Sequence, residues 1–215
     1  MESKFWIDVW KEKKIGFHKE QTNELLINFL PKLEIRPSSF IFVPLCGKSQ
    51  DLIYLADLGH KVIGHKVIGI ELSEIGVKEF FSENNISFEI KEIGKLLKYT
   101  SDKIDIYLGN IFDLTSDILG PIDVVYDRAS MIALPIDIRE KYNKKIDDLT
   151  DAKTKLLLIT LEYDQQKVAG PPFSVPRESI NIPGIELIDE HRPEIISPKF
   201  SDAGTAVLQK VYIKK

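Results

Sequence analysis

The sequence predicts an α/β fold built on a doubly wound, mostly parallel sheet, and two stretches support that prediction. In residues 40–51 a short apolar run breaks at Pro44 and Gly47, and helix-opening residues and an amphipathic pattern follow. An apolar run of this length is typical of a strand buried on both faces, and strand, turn and helix together form the first unit of a nucleotide-binding α/β fold. The second stretch is the next apolar run, near whose end lies Glu71, about twenty residues downstream once a short repeat is discounted. In such folds an acidic residue at this place can accept hydrogen bonds from both ribose hydroxyls of a nucleoside ligand.

The turn after the first predicted strand has two other interpretations. Gly47-Lys48-Ser49 is similar to the end of a phosphate-binding loop, but that loop needs a glycine five residues before Gly47, where Phe42 stands. A turn with a purely structural role also fits these residues. The turn by itself therefore leaves ligand binding open.

Length and composition indicate a single domain. The chain has 215 residues, and 29 basic against 33 acidic residues give a net charge of -4, which argues against a surface that neutralises nucleic-acid phosphates. No apolar stretch approaches the roughly eighteen residues of a membrane-spanning helix, and the N-terminus is not signal-like, so we expect a cytoplasmic protein without a membrane partner. The single cysteine, Cys46, excludes an intramolecular disulfide and is expected to be a small buried side chain rather than a nucleophile. Four histidines without ligand spacing favour the absence of a metal site.

The start of the chain predicts an aromatic helix followed by a joint. Residues 2–13 place Trp6 and Trp10, four apart, on one helix face. Gly16 then interrupts the chain before Phe17 and gives a flexible joint. These aromatic side chains either cover a ligand or pack as ordinary core.

A five-residue repeat precedes Glu71. His-Lys-Val-Ile-Gly occurs at residues 60–64 and again at residues 65–69, which is too short for a repeat architecture. We expect the second copy to form the strand, so that Glu71 stays at its C-terminal end, and the first copy to extend the preceding connection. A slip of the strand register would move every side chain to the other face.

The remaining elements follow from apolar periodicity and from cap and turn residues. Residues 162–176 are predicted to be irregular, because they contain Gly170-Pro171-Pro172. At the ligand edge of the sheet such a loop would shape a substrate pocket, or it would serve as a surface linker. The predicted helices are residues 19–30, residues 73–84 capped by Ser73, and residues 135–149; the predicted strands are residues 86–90, a hairpin around residues 100–103, residues 122–126, residues 155–161, and an antiparallel pair at residues 185–191 and 206–213.

Five stretches together resemble one known family. They are FWIDVW, IGFH, VPLCGKSQDL, GHKVIGIELSE and YDRASMIALP, in this order and with nearly the family's spacing. They closely resemble the thiopurine S-methyltransferase family in its bacterial form, and the resemblance runs from about Phe5 to the C-terminus.

The resemblance implies a fold, a cofactor and a reaction. The fold is a seven-stranded, Rossmann-like sheet of class I S-adenosylmethionine-dependent methyltransferases, with an antiparallel C-terminal edge strand and an N-terminal helical flap. One domain of residues 1–215 then comprises a helical cover, residues 1–36, and an α/β core, residues 37–215. The implied activity is methyl transfer from S-adenosylmethionine to small aromatic or heterocyclic thiols such as thiopurines, and in some relatives to selenium or tellurium oxyanions. S-adenosylhomocysteine is the product, and the protein is expected to be a monomer.

The resemblance also assigns eight site residues, which are Trp6, Trp10, Phe17, Leu45, Glu71, Asn110, Ile111 and Arg128. Trp10 and Phe17 would line the cofactor site from the flap, with Trp6 beside them and Phe17 also near the acceptor. Leu45 and Glu71 would bind the methyl donor.

The last three assigned residues have structural alternatives. Asn110 and Ile111 would contact the adenine, or form a polar turn and a core position. Arg128 would be the catalytic residue, contacting both donor and acceptor, since a permanent positive charge near the reacting sulfur favours the thiolate. Alternatively Arg128 forms an ion pair with Asp127 or a neighbouring carboxylate.

Two other functions remain as alternatives. A nicotinamide-dependent oxidoreductase would have a similar nucleotide-binding α/β fold, but the turn after the first strand lacks the GxGxxG pattern of such enzymes. A protein that binds S-adenosylmethionine without turnover would result if the repeat displaced Glu71.

Overall fold

A nine-stranded sheet forms the centre of the computed structural model, which describes residues 3–58, 66–194 and 197–215. Within these residues the strands are β1 Phe40–Val43, β2 Lys66–Glu71, β3 Glu89–Ile93, β4 Leu96–Thr100, β5 Ile104–Leu108, β6 Val124–Arg128, β7 Lys155–Glu162, β8 Glu186–His191 and β9 Leu208–Lys214. Their order in the sheet is β3-β4-β5-β2-β1-β6-β7-β9-β8.

The central strands are parallel and the outer pairs are antiparallel. β1 pairs in parallel with β2 and β6, and β5 and β7 extend this parallel block on either side. The predicted doubly wound α/β class is thereby confirmed. The strand count of seven is too low, because β3 and β4 add an antiparallel hairpin beyond β5. At the other end β8 is the edge, while the C-terminal strand β9 lies between β7 and β8.

Eight α-helices are described: α1 Ser3–Lys11, α2 Glu24–Phe29, α3 Asp51–Asp57, α4 Glu74–Glu83, α5 Ser116–Leu119, α6 Ser130–Ala133, α7 Ile136–Leu149 and α8 Pro198–Asp202. The Ser73 side chain accepts a hydrogen bond from Gly76 N–H and caps α4, as predicted. The helix predicted over residues 19–30 is shorter. Asn23 caps it by accepting from Leu25 N–H, and at its C-terminal end the chain tightens into a 3₁₀ turn, Leu30–Leu33.

The sheet is buried on both faces, and β1 shows why its sequence is wholly apolar. Ile41 and Val43 belong to a core cluster that includes Leu52 of α3, while Phe42 belongs to a second cluster that includes Tyr142 of α7. Successive side chains of a strand point to opposite faces, so both sets must be apolar.

The second copy of the repeat forms β2, as predicted. Residues Lys66 to Gly69 pair with β1, and Glu71 pairs with Leu108 at the end of β5. The first copy, residues 60–64, lies outside the described residues. Gly69 is required by packing, because a Cβ there would lie 2.6 Å from Sγ of Cys46.

None of the helices in the described part of the chain has the length and apolar character that a bilayer crossing requires.

Candidate functional site

Glu71 lies at the C-terminal end of β2 and accepts two backbone hydrogen bonds. Gly47 N–H donates to Oε2 at 2.9 Å and Ser73 N–H donates to Oε1 at 2.7 Å. The residue is 7% exposed. Burial raises the pKa of Glu71 above its ordinary value, and the N–H groups of Ser73 and Gly47 oppose that rise. A carboxylate oxygen has two lone-pair sites, so each oxygen keeps one for a ligand hydroxyl.

The turn after β1 is held beside Glu71 in a left-handed backbone conformation. Leu45 has a φ of 45° and Gly47 a φ of 55°. The intervening Cys46 donates its backbone N–H to the carbonyl of Ile70 at 3.0 Å. The turn is therefore attached to the end of β2 both through the backbone and through the Glu71 side chain.

Cys46 has the structural role that the sequence predicts. Its side chain is buried. Burial, and then the neighbouring Glu71 carboxylate, raise the pKa of the Cys46 thiol well above its ordinary value. A thiol that stays protonated is a poor nucleophile.

Lys48 does not point to a phosphate site. Its ammonium group is buried between two carboxylates of α4, at 2.8 Å from Glu79 and 2.6 Å from Glu83. Burial lowers the pKa of Lys48, but the two carboxylates outweigh burial and raise it overall. The lysine therefore joins the turn to α4.

The aromatic residues of α1 and of the joint at residues 16–17, which together form the flap, lie over this turn. Trp10 is 3% exposed, and its ring lies 3.6 Å from the position that a Cβ on Gly47 would take and 2.9 Å from that on Gly76. Phe17 packs edge-on against both Trp6 and Trp10, with ring centroids 5.8 Å apart in each pair. The buried indole N–H of Trp6 has no hydrogen-bond partner within the described residues.

Arg128 lies at the end of β6, and its side chain is 17% exposed. Nη2 donates to the carbonyl of Phe17 at 3.4 Å, and Nη1 lies 3.9 Å from Oδ2 of Asp51. The flap and the arginine are therefore in contact. The structural alternative for Arg128 named Asp127 or a neighbouring carboxylate as its partner, and the carboxylate near Arg128 is the neighbouring one, Asp51, rather than Asp127.

Asp127 faces the opposite side of the sheet from Arg128. Its carboxylate accepts hydrogen bonds from Tyr142 Oη at 2.5 Å and from Ser130 N–H at 3.2 Å. Burial raises the pKa of Asp127, and these hydrogen bonds oppose the rise. Asp127 thus holds α6 and α7 in place behind the site.

Asn110 and Ile111 follow β5 directly beside Glu71. The backbone N–H of Gly109 donates to the Glu71 carbonyl at 2.9 Å. Asn110 Oδ1 accepts from Phe112 N–H at 3.0 Å and opens a 3₁₀ turn, Ile111–Asp113. Ile111 is buried in the second core cluster. The residues form a polar turn and a core position and also lie at the ligand edge of the sheet.

The segment between β7 and the short 3₁₀ turn Arg177–Ser179 is irregular, as predicted. Phe173 N–H donates to the carbonyl of Ile132 at 2.6 Å, so this segment contacts α6, which begins just after Arg128. The Lys199 ammonium donates to the Pro171 carbonyl at 2.6 Å. The segment is therefore held on the Arg128 side of the sheet edge.

Sequence reasoning missed Asp51 and Tyr126 as site residues. The sequence pattern indicates Asp51 only as a helix-opening residue and Tyr126 only as part of a buried strand. The alternation of side chains along β6 does predict that Tyr126 lies near Arg128, because residues two apart in a strand share a face.

The groups at this edge of the sheet fit a ligand that contains an adenosyl group and a sulfonium. A buried carboxylate retains two acceptor positions, aromatic rings cover a tight backbone turn, and one buried indole N–H is unpaired within the described residues. Among those residues no group of three or more His, Cys, Asp and Glu side chains could hold a metal ion.

Solved structures show the class of fold. The chain resembles an S-adenosylmethionine-dependent methyltransferase from Anabaena variabilis, with a TM-score of 0.64 and 15% identity over 99% of this chain and 95% of that one. It also resembles magnesium protoporphyrin IX methyltransferase from Synechocystis with bound S-adenosylhomocysteine, with a TM-score of 0.65 and 13% identity over 100% of both chains. These likenesses show that the chain has the fold of the class I S-adenosylmethionine-dependent methyltransferases.

Sequence comparison identifies the family. Residues 1–200 match the family model of thiopurine S-methyltransferase. The chain is 37% identical to the thiopurine S-methyltransferase of Bordetella petrii over 97% of this chain and 95% of the relative. It is 38% identical to that of Pseudomonas putida KT2440 over 99% of this chain and 98% of the relative. The chain belongs to the thiopurine S-methyltransferase family, which disfavours the oxidoreductase alternative.

Proposed function

We propose that this protein transfers the methyl group of S-adenosylmethionine to the sulfur of small aromatic or heterocyclic thiols such as thiopurines. The observation that supports it best is the contact between Arg128 and the flap carbonyl of Phe17, at the same sheet edge as Glu71. A permanent positive charge beside the flap would favour the thiolate form of an acceptor bound there.

The donor side is built from four parts of the chain. Glu71 accepts hydrogen bonds from the ribose hydroxyls with the lone pairs that its backbone bonds leave free. The backbone of Leu45 to Gly47 approaches the methionine part, and Asn110 and Ile111 contact the adenine. Trp10 excludes water and, by its negative ring face, attracts the sulfonium. Trp6 lies beside it.

The reaction places few demands on acid or base groups. When bound, S-adenosylmethionine supplies a methyl group on a sulfonium, whose leaving group is a neutral thioether. Because the leaving group would be neutral, the donor needs no acid, and an acceptor thiol that loses its proton to solvent needs no strong base from the chain. The chain contributes alignment and the field of Arg128, which favours the thiolate over the thiol. Phe17 packs against the acceptor ring.

The test is an incubation with labelled S-adenosylmethionine and a panel of thiopurines and thiophenols, with calorimetry of donor binding beside it. We expect donor binding and transfer of label to sulfur. Donor binding without transfer to any thiol would identify a binding protein without turnover. A protein that neither binds the donor nor transfers label would contradict the proposal, and titration with NADH would then test the oxidoreductase.

We also propose that the protein acts as a cytoplasmic monomer that binds no nucleic acid. The net charge of -4 and the single predicted domain support this. Sedimentation of the purified protein with and without S-adenosylhomocysteine checks the oligomeric state, and a concentration-dependent dimer would contradict it.

A further inference from the structure

We propose that Asp51 is the positioning residue for Arg128, and that it fixes the guanidinium between the core and the flap. This inference rests on the proposed function, because it concerns the acceptor side of the same site. Asp51 is the first residue of α3 and is 1% exposed. Burying a carboxylate this deeply is costly unless hydrogen bonds and a positive charge compensate it.

The carboxylate of Asp51 contacts three separate segments of the chain. Oδ1 accepts the backbone N–H of Asn23 at 2.7 Å, and Oδ2 accepts the hydroxyl of Tyr126 at 2.9 Å. Nη1 of Arg128 lies 3.9 Å from the same Oδ2. Within the described residues Arg128 is the one cation within 4.0 Å of this carboxylate.

Tyr126 directs the carboxylate toward Arg128. The two residues are two positions apart on β6 and therefore share a face. Burial, and then the charge of Asp51, raise the pKa of the Tyr126 hydroxyl well above its ordinary value. The hydroxyl therefore remains a donor, and Oδ2 remains fixed at its hydrogen.

The guanidinium is consequently held from two sides. Asp51 attracts Nη1 from the core, while Nη2 donates to the Phe17 carbonyl of the flap. A guanidinium has five N–H donors, so these two contacts leave others for the acceptor. The same carboxylate holds the backbone of Asn23, the cap of α2, and so joins the chain that follows the flap to this arrangement.

A simple electrostatic role for Asp51 predicts an effect of the opposite sign. If the carboxylate only weakened the field of Arg128, its removal would stabilise a nearby thiolate and lower the pKa of the bound thiol. If it positions Arg128, its removal lets the guanidinium move and raises that pKa. A purely structural role changes stability and leaves the pKa of the bound thiol unchanged.

The test variant is Asp51→Asn, which keeps groups able to pair with Asn23 N–H and the Tyr126 hydroxyl. The control is Asp57→Asn at the exposed end of the same helix, where the carboxylate lies 3.5 Å from Lys103. We expect Asp51→Asn to lower kcat for a thiopurine about tenfold, a loss typical of a slightly misplaced catalytic group. Donor affinity should change much less than kcat, because most of the proposed donor contacts are made by Glu71, the turn after β1 and the flap aromatics. Asp57→Asn should match the wild type.

A second readout does not depend on turnover. 4-Nitrothiophenol absorbs in the visible as its thiolate, so its pKa in the complex with S-adenosylhomocysteine can be read from a pH titration. Asp51→Asn and Arg128→Ala should each raise this pKa. In the double variant the Asp51 change should add nothing to the Arg128 change, because one residue acts through the other.

The outcomes separate the two proposals. If the Asp51 and Arg128 changes add in their effect on the pKa of the bound thiol, or if that pKa falls or stays constant in Asp51→Asn, the positioning role is overturned. Methyl transfer by the wild type would then leave the proposed function intact. A wild type that binds the thiol but transfers no methyl contradicts the function, and the titration still tests Asp51. No thiol binding by the wild type overturns both. If Asp51→Asn fails to fold, Tyr126→Phe, which frees Oδ2, should give a smaller rise in the same pKa, and no change would count against the inference.

Discussion

The backbone N–H of Gly47 donates a 2.9 Å hydrogen bond to Oε2 of Glu71 and so joins the turn after β1 to the end of β2. The turn and the carboxylate, which we propose bind the methyl donor, are thereby held at a fixed separation. Arg128 lies on β6, on the other side of β1, so the residues that we propose for the donor side and for the acceptor side belong to different strands.

This separation predicts different defects for two alanine variants. Glu71→Ala removes two hydrogen bonds to a charged group, each about 1.5 kcal/mol, and should weaken donor affinity about 100-fold. Arg128→Ala should lower kcat roughly 100-fold, as expected on removing a charge that stabilises the reacting anion, and change donor affinity little. Calorimetry with S-adenosylhomocysteine and steady-state kinetics measure both. Equal effects of the two changes on binding and turnover would contradict the division.

Donor affinity should depend on pH through Glu71. Burial raises the pKa of this carboxyl above its ordinary value of 4.5. The ionised form accepts both ribose hydroxyls, so affinity is full above the raised pKa and falls as the pH is lowered through it. Titration of S-adenosylhomocysteine binding from neutral pH downward measures this. The matched variant Glu71→Gln should bind weakly at every pH in that range, and a parallel fall in the variant would assign the effect to another group.

The position of the flap should be sensitive to one methyl group on α4. A Cβ at Gly76 would lie 2.9 Å from the Trp10 ring. Gly76→Ala should displace the ring and weaken donor affinity about tenfold, an overpacking cost near 1.4 kcal/mol. The helix itself should gain up to about 1 kcal/mol from alanine, which offsets most of the overpacking cost in the free energy of unfolding. The only tryptophans, Trp6 and Trp10, both lie in α1, so their fluorescence reports the displacement.

The control for this experiment is Gly16→Ala in the joint of the flap. A Cβ at Gly16 would meet no atom within 4 Å. Donor affinity and tryptophan emission should therefore match the wild type. A loss equal to that of Gly76→Ala would show that flap flexibility, rather than contact with Trp10, determines the affinity.

One copy of the repeat should be dispensable. β2 uses only Lys66–Glu71, and deleting either copy gives the same shortened chain. The connection between α3 and β2 would shorten from eight residues to three, a usual length between a helix and a strand. We expect donor affinity within about twofold of the full chain, because the pairing of β2 with β1 and β5 is unchanged. Loss of donor binding with an intact fold would show that both copies are needed to place Glu71.

Local chemistry predicts much of the sheet and of the donor side. The wholly apolar run predicts that β1 is buried on both faces, and Ser73 predicts the start of α4. Glu71, near the end of the next apolar run, predicts where β2 ends. Each of these features depends on residues close together in the sequence, so the local sequence pattern is sufficient to predict it.

The strand after α4 shows where local pattern fails. A strand was predicted over residues 86–90, but β3 begins at Glu89. Ile86 N–H donates to the Phe81 carbonyl at 3.0 Å, and Asn85 has a φ of 54°, so the end of the helix uses these residues. The strand is also antiparallel, because it belongs to the hairpin with β4.

The pairing of Arg128 with Asp51 could not be predicted from neighbours in sequence. It requires β1 and β6 to be adjacent in the sheet and α3 to begin beside them. What the sequence could exclude was Asp127, since consecutive strand residues point to opposite faces.

The burial of Cys46 limits how this cysteine can react with the thiol substrates of the protein. Its sulfur packs where Gly69 lacks a side chain, and burial raises the pKa of the thiol. A protein that processes thiols thus withholds its only cysteine from them. A buried thiol that stays protonated is a poor target both for methylation by the protein itself and for a mixed disulfide with a reactive aromatic thiol.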